Sequence, residues 1–150
     1  MNEIIIHCLN LVSPIYYEAA ADIDPFDYKA ENGESIFSFE LNEAACFSFE
    51  AGKDSLLGSL LFCGRAKDKY STGDNSKHSG KAFFELPCGH YLFAQKRELL
   101  RKDDIIALAL EIQAEGLWQR LKLGKRLWLR YLFEDGSLVT QLFRPYTKNA

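Results

Sequence analysis

Apolar and polar positions alternate most cleanly near the end of the chain. In KRLWLRYLFEDGSLVTQLFRPY (125–146), two strand-like runs flank Asp135-Gly136, the strongest short hairpin signal in the sequence. A two-residue turn there fixes the register. Phe133–Leu138, Tyr131–Thr140 and Leu129–Leu142 would share one face, and Leu132–Val139, Arg130–Gln141 and Trp128–Phe143 the other. Gly136 is expected at positive φ, and Pro145 is expected to end the pairing.

Upstream, the period changes. From Asp103 or Asp104, DDIIALALEIQAEGLWQRLKLG places Ile105, Leu108, Ala109, Ile112 and Gly116 on one helical face, widened by Ile106 and Leu110. Acidic residues open this long helix and Gly124 closes it. KAFFELP (81–87) and HYLFAQK (90–96) read as strands broken at Pro87 and Gly89. EIIIHCLNLV (3–12) reads as a buried strand, and Ser13-Pro14 as the N-cap and first turn of a short helix over 13–22. IFSFELNEAA (36–45) and CFSFEAGKDS (46–55) repeat F-S-F-E, which predicts an antiparallel hairpin turning near Asn42-Glu43. LLGSLLFCG (56–64) gives a further strand, and 64–80 a long polar loop.

The fold class expected is a single α+β domain over 1–150. It has a mostly antiparallel sheet, one long and one short helix, and an order compatible with two βαββ halves. Residues 86–146 resemble the gyrase-inhibitor-like effector-binding superfamily. Its repeats have that order and often open with a strand reading proline-x-glycine-x-tyrosine, here Pro87-Cys88-Gly89-His90-Tyr91. Arg144-Pro145 ends the last strand much as a proline does there. The resemblance implies a cleft between the halves holding a small, often cationic, ligand.

Composition adds little to this picture: 47% hydrophobic and 26% charged residues are ordinary for a globular domain. No apolar run approaches the length of a membrane span. MNEIIIHCLNLV has no basic n-region or cleavage site and is not read as a signal peptide. Four scattered cysteines suit buried thiols in the cytoplasm better than a disulfide framework. Residues 1–75 hold 5 Lys/Arg against 13 Asp/Glu, whereas 76–150 hold 13 against 8, a split that suits two halves complementing each other in one fold.

Candidate chemistry is sparse. Cys88 and His90, two apart, would share a face of an extended strand, which permits a thiol-dependent enzyme but supplies no orienting third group. Cys63, His78, Cys88 and His90 lack zinc-site spacing, and the acidic stretch 22–34 lacks the calcium-loop register. No metal and no cofactor is expected. Basic residues from Lys96 to Lys102 and from Arg120 to Arg130 lie near Trp118, Trp128 and Tyr131, as in nucleic-acid binding modules, but an isoelectric point near 5.6 disfavours that use. The face bearing Trp128, Arg130, Gln141 and Phe143 remains, where an arginine and an amide between two aromatics could hold a planar or anionic group. The expectation is a non-enzymatic cytoplasmic domain binding a small molecule or a protein, with homodimerisation left open. An RNA- or DNA-binding module is the alternative, and an enzyme using Cys88 comes third.

Overall fold

The computed structural model describes residues 5–19, 44–51, 60–66, 83–98, 100–134 and 137–148. Along the chain run β1 (His7–Leu11), β2 (Ile15–Ala19), β3 (Ala44–Glu50), β4 (Leu60–Ala66), β5 (Phe83–Leu86) and β6 (Gly89–Lys96). Then follow α1 (Lys102–Trp118), β7 (Leu121–Leu123), β8 (Arg126–Glu134) and β9 (Ser137–Lys148). This is an α+β fold, and every strand pairing is antiparallel.

The pairings close on themselves. β1 pairs β6 while β2 pairs β5, and since β1 leads directly into β2 and β5 into β6, these four strands form one long kinked ladder. On one side of it β6 pairs β9, β9 pairs β8, β8 pairs β3 and β3 pairs β4. β4 then returns to β2 through Glu18↔Arg65 and Ala19↔Gly64. Six chain segments thus make a ring, with the outer edges of β1 and β5 left unpaired among the described residues.

Alternation along the strands sorts their side chains into two buried clusters. Tyr91, Trp128, Leu132, Val139 and Phe143 belong to one with Ile15, Tyr17, Ala44, Cys46 and Leu86. Leu92, Ala94, Leu127, Leu129 and Leu142 belong to the other, together with Phe47, Phe49 and the helix. The first lies inside the ring. Tyr17 on β2 interacts with Arg130 on β8, three segments away, and such a contact can only cross the interior. The second lies outside, under α1.

α1 buries the face that the sequence predicts, Ile105, Leu108, Ala109, Ile112 and Gly116. Each large side chain there contributes roughly 1.5–3 kcal/mol of transfer free energy. No side chain caps the helix start, so Asp103 and Asp104 act on the dipole alone. The helix stops at Trp118 rather than running to Gly124. Arg120 turns the chain at φ 57°, and Leu121–Leu123 become β7, paired to β9 at Tyr146–Lys148. A Cβ on Gly116 would lie 2.7 Å from Leu123 Cδ2, so glycine lets the helix sit this close to β7. Arg144 Nε, donating to the Gly124 carbonyl at 2.7 Å, ties the same corner together.

Several other expectations change. Within the stretch expected to be a short helix, 13–22, Ile15–Ala19 are strand β2, because Ile15 to Tyr17 find partners on β5 and the strand's end pairs with β4, and tertiary pairing overrides the capping signal; residues 20–22 lie outside the described residues. Among the described residues the first half therefore does not show the βαββ order, and from β6 onward the helix is followed by three strands, the short β7 coming before the β8–β9 hairpin. β3, which holds the second F-S-F-E copy, begins at Ala44 and has β4 on one edge and β8 on the other. Residues 36–43, the acidic stretch 22–34, the loop from 67 and Asp135-Gly136 lie outside the described residues. β4 extends to Ala66, into the stretch expected to be loop. β1 is largely exposed, and among the described residues it pairs with β6 alone. Pro145 does not end β9: it needs no N–H where it faces Tyr91, and its carbonyl accepts from Gly124 N–H at 2.8 Å.

The kink between β5 and β6 rests on Gly89, whose φ of +145° is outside the range that other residues adopt readily. A Cβ there would meet nothing within 4 Å, so a substitution strains the backbone alone. Gly89→Ala is expected to cost about 1–2 kcal/mol in urea unfolding at constant m-value. An unchanged midpoint would show that the kink does not depend on glycine.

Candidate functional site

The final hairpin has the register that its sequence dictates, with Trp128↔Phe143, Arg130↔Gln141 and Leu132↔Val139 across β8 and β9. Trp128, Arg130, Gln141 and Phe143 do share a face. That face points into the ring, and the four side chains are only 1–8% exposed. Arg130 Nη1 donates to Gln141 Oε1 at 3.2 Å, and Gln141 Nε2 donates to Gln95 Oε1 at 3.0 Å. Opposite, Arg130 and Cys46 stand against the Tyr17 hydroxyl. Phe143 lies between Phe93, at 4.9 Å between ring centres, and Tyr91, at 5.9 Å edge-on.

The arrangement is a polar relay that runs from buried Tyr17, Arg130 and Gln141, set among aromatic rings, out to exposed Gln95. Sequence reasoning missed Tyr17, Cys46 and Gln95. Tyr17 is hidden while 13–22 reads as helix, and no local signal places β2 across the ring from β8. Burial pushes the Tyr17 phenol well above its ordinary value. The nearby Cys46 adds to this, and Arg130 opposes it less strongly.

At Cys88-Gly89-His90 the structure separates what the spacing suggests it joins. The Tyr91 phenol is raised mainly by burial and next by Cys88, so Cys88 stands by an interior side chain. The His90 ring instead lies 5.8 Å from that of Tyr146, which belongs to the outer cluster. Gly89 breaks the alternation between them, and the stretch is a strand kink stitched by the Tyr91 hydroxyl donating to the Pro87 carbonyl. Pairing brings β1 beside His90 instead, with Asn10 facing it and Cys8 facing Leu92. The Cys8 thiol donates to Gln119 Oε1 at 3.8 Å, and Cys8 raises Tyr146 after burial has done so. Next to Tyr146 a pocket of ≈ 280 Å³ is lined by Lys122, Leu123, Gly124, Pro145 and Thr147. Among the described residues no group of three or more His, Cys, Asp or Glu could hold a metal ion.

The outer face of α1 carries Leu110, which the helical periodicity places on the core face, together with Leu117 and Trp118. Leu110 is 55% exposed, Leu117 68% and Trp118 83%. Ala114, also exposed, lies between them, and exposed Ala107 precedes Leu110 by three residues, at helical spacing. The signal was present, since Leu110 and Leu117 are seven apart in a helix apolar on nearly every side. Of the aromatics near the basic residues, Trp128 and Tyr131 are buried, leaving Trp118 at the surface. Lys96 pairs with Glu98 at 3.2 Å. No helix among the described residues is long and apolar enough to cross a membrane. No protein-family model matches the chain, and no curated protein matches it at a significant level.

Two outcomes follow for the interior. Arg130→Ala is expected to lose about 3 kcal/mol of stability, because Gln141 and Tyr17 keep their burial and lose a shared donor. Arg130→Met, which keeps the volume, should lose less in the same urea titration. Equal losses would mean that volume, not charge, holds the site.

The second outcome concerns alkaline pH. Tyr17 and Tyr91 ionise more easily in the unfolded chain than in the folded one, so above about pH 10 the unfolded state binds fewer protons and stability falls as pH rises. Each tyrosine contributes up to about 1.4 kcal/mol per pH unit, and Tyr17→Phe should remove its share of the slope. Unfolding free energies measured from pH 8 to 11 test this, and an identical slope in the variant would count against it.

Proposed function

We propose that the chain is a non-enzymatic, cytoplasmic protein-interaction domain that engages a protein through the outer face of α1. The observation carrying this reading is the exposure of Leu110, Leu117 and Trp118 along one face of an ordered helix. Contiguous apolar surface of this kind is unfavourable in water and marks contact sites, and tryptophan is prominent among residues that dominate binding energy. Asp103, Asp104, Glu111 and Glu115 on the same helix suit a protein partner better than an anionic lipid surface, which selects Lys and Arg. Exposed free thiols at Cys8 and Cys88 fit a reducing compartment.

The small-ligand reading has less support. The side chains chosen for it fill the interior, and the pocket at β7 and β9 lies just under the usual ligand-site volume of roughly 300–1,000 Å³.

A photo-reactive residue at position 117, introduced in cells, tests the proposal. It is expected to give a discrete protein adduct that disappears when Leu110→Ser and Trp118→Ser are added, with the urea midpoint nearly unchanged because these side chains stand in solvent. No adduct, or the same product from a probe at position 98, would overturn it.

A further inference from the structure

We infer that the partner on this face is a second copy of the chain, docked with the two α1 helices antiparallel about a two-fold axis at Ala114. The inference rests on the interaction reading above and names its occupant. The apolar stripe is close to self-complementary. Ala114 is small, and Leu110 precedes it by four residues while Leu117 and Trp118 follow by three and four. Reversing one helix about Ala114 brings Leu110 of each copy against Leu117 and Trp118 of the other. That is the relation an isologous interface requires, residue i meeting j while j meets i. A small residue at the crossing lets the two backbones approach, and large side chains on either side close the gap.

The area is sufficient for a weak dimer. From their exposures, Leu110, Leu117 and Trp118 offer about 400 Å² per copy, so a symmetric pair covers about 800 Å² before Ala107, Ala114 and neighbouring side-chain stems are counted. With those the total reaches the ~1,000 Å² that separates biological interfaces from incidental ones. Reversal also carries the acidic first turn, Asp103 and Asp104, past the end of the other helix towards exposed Arg120, Lys122 and Lys125. Arg101 and Lys102 precede that turn, so the charge contribution is small and the apolar area carries the association.

Sedimentation of the full chain from about 1 µM to 1 mM is expected to show reversible monomer–dimer exchange within that range, as suits an interface of minimal size. Trp118 emission should shift to shorter wavelength as concentration rises, while Trp128, already buried, contributes a constant signal. Leu117→Ser with Trp118→Ser should weaken the dimer at least tenfold. In a Cys8→Ser, Cys88→Ser background, Ala114→Cys should form an intermolecular disulfide on mild oxidation, because the axis places the two thiols side by side, and Asp103→Cys should not. A chain that stays monomeric at 1 mM, a dimer indifferent to the double serine variant, or equal cross-linking at 103 and 114 would each overturn the inference. The cellular adduct at position 117 separates this failure from that of the broader reading: an adduct with a different protein keeps the interaction face and removes only self-association.

Discussion

Everything in this fold hangs on one ladder. β1 and β2 on one side, and β5 and β6 on the other, pair along their length across a shared kink at Val12–Pro14 and Pro87–Gly89. From this ladder β6 presents its far edge to β9 and β2 presents its own to β4, so here the ring closes. Gly89 supplies a backbone angle that other residues resist, and proline on each strand removes a donor where regular pairing is interrupted. Closure then does for the backbone what a covering layer would otherwise have to do.

A six-segment ring is narrow. Even a barrel of eight strands has an interior that side chains fill, so here a few large residues occupy the space, Trp128, Tyr17, Tyr91 and Phe143 among them. Into that packing the chain sets an arginine, a glutamine and a tyrosine, with exposed Gln95 hydrogen-bonded to the buried glutamine. Such a relay trades hydrophobic area for directional contacts across the ring, Arg130 to Gln141 and Gln141 to Gln95. With the interior committed to structure, contact with other molecules falls to the exterior, where α1 is apolar on both its faces.

How much of this the sequence discloses depends on distance along the chain. The β8–β9 register was legible because a two-residue turn and a period of two determine it locally. The buried face of α1 was legible for the same reason, through its period near four. Ile15–Tyr17 was misread because Ser13-Pro14 is a local helix signal and the partners that make it strand lie some 50 to 70 residues away. The repeated F-S-F-E invited a local hairpin, whereas β3 takes β8 as its neighbour, more than 70 residues on. The Trp128, Arg130, Gln141 and Phe143 face was identified as a set, but whether it looked inward or outward is decided by ring closure, which no window of sequence contains.

The same long-range pairing sets an order of events during synthesis. β3 and β4 leave the ribosome early and can pair with each other, but the other edge of β3 stays open until β8 is made, and β6 likewise waits for β9. For that interval two hydrophobic strand edges have only each other, or another nascent chain, to pair with. The last hairpin, whose contacts are local, is therefore the clasp that covers both edges, β8 taking that of β3 and β9 that of β6.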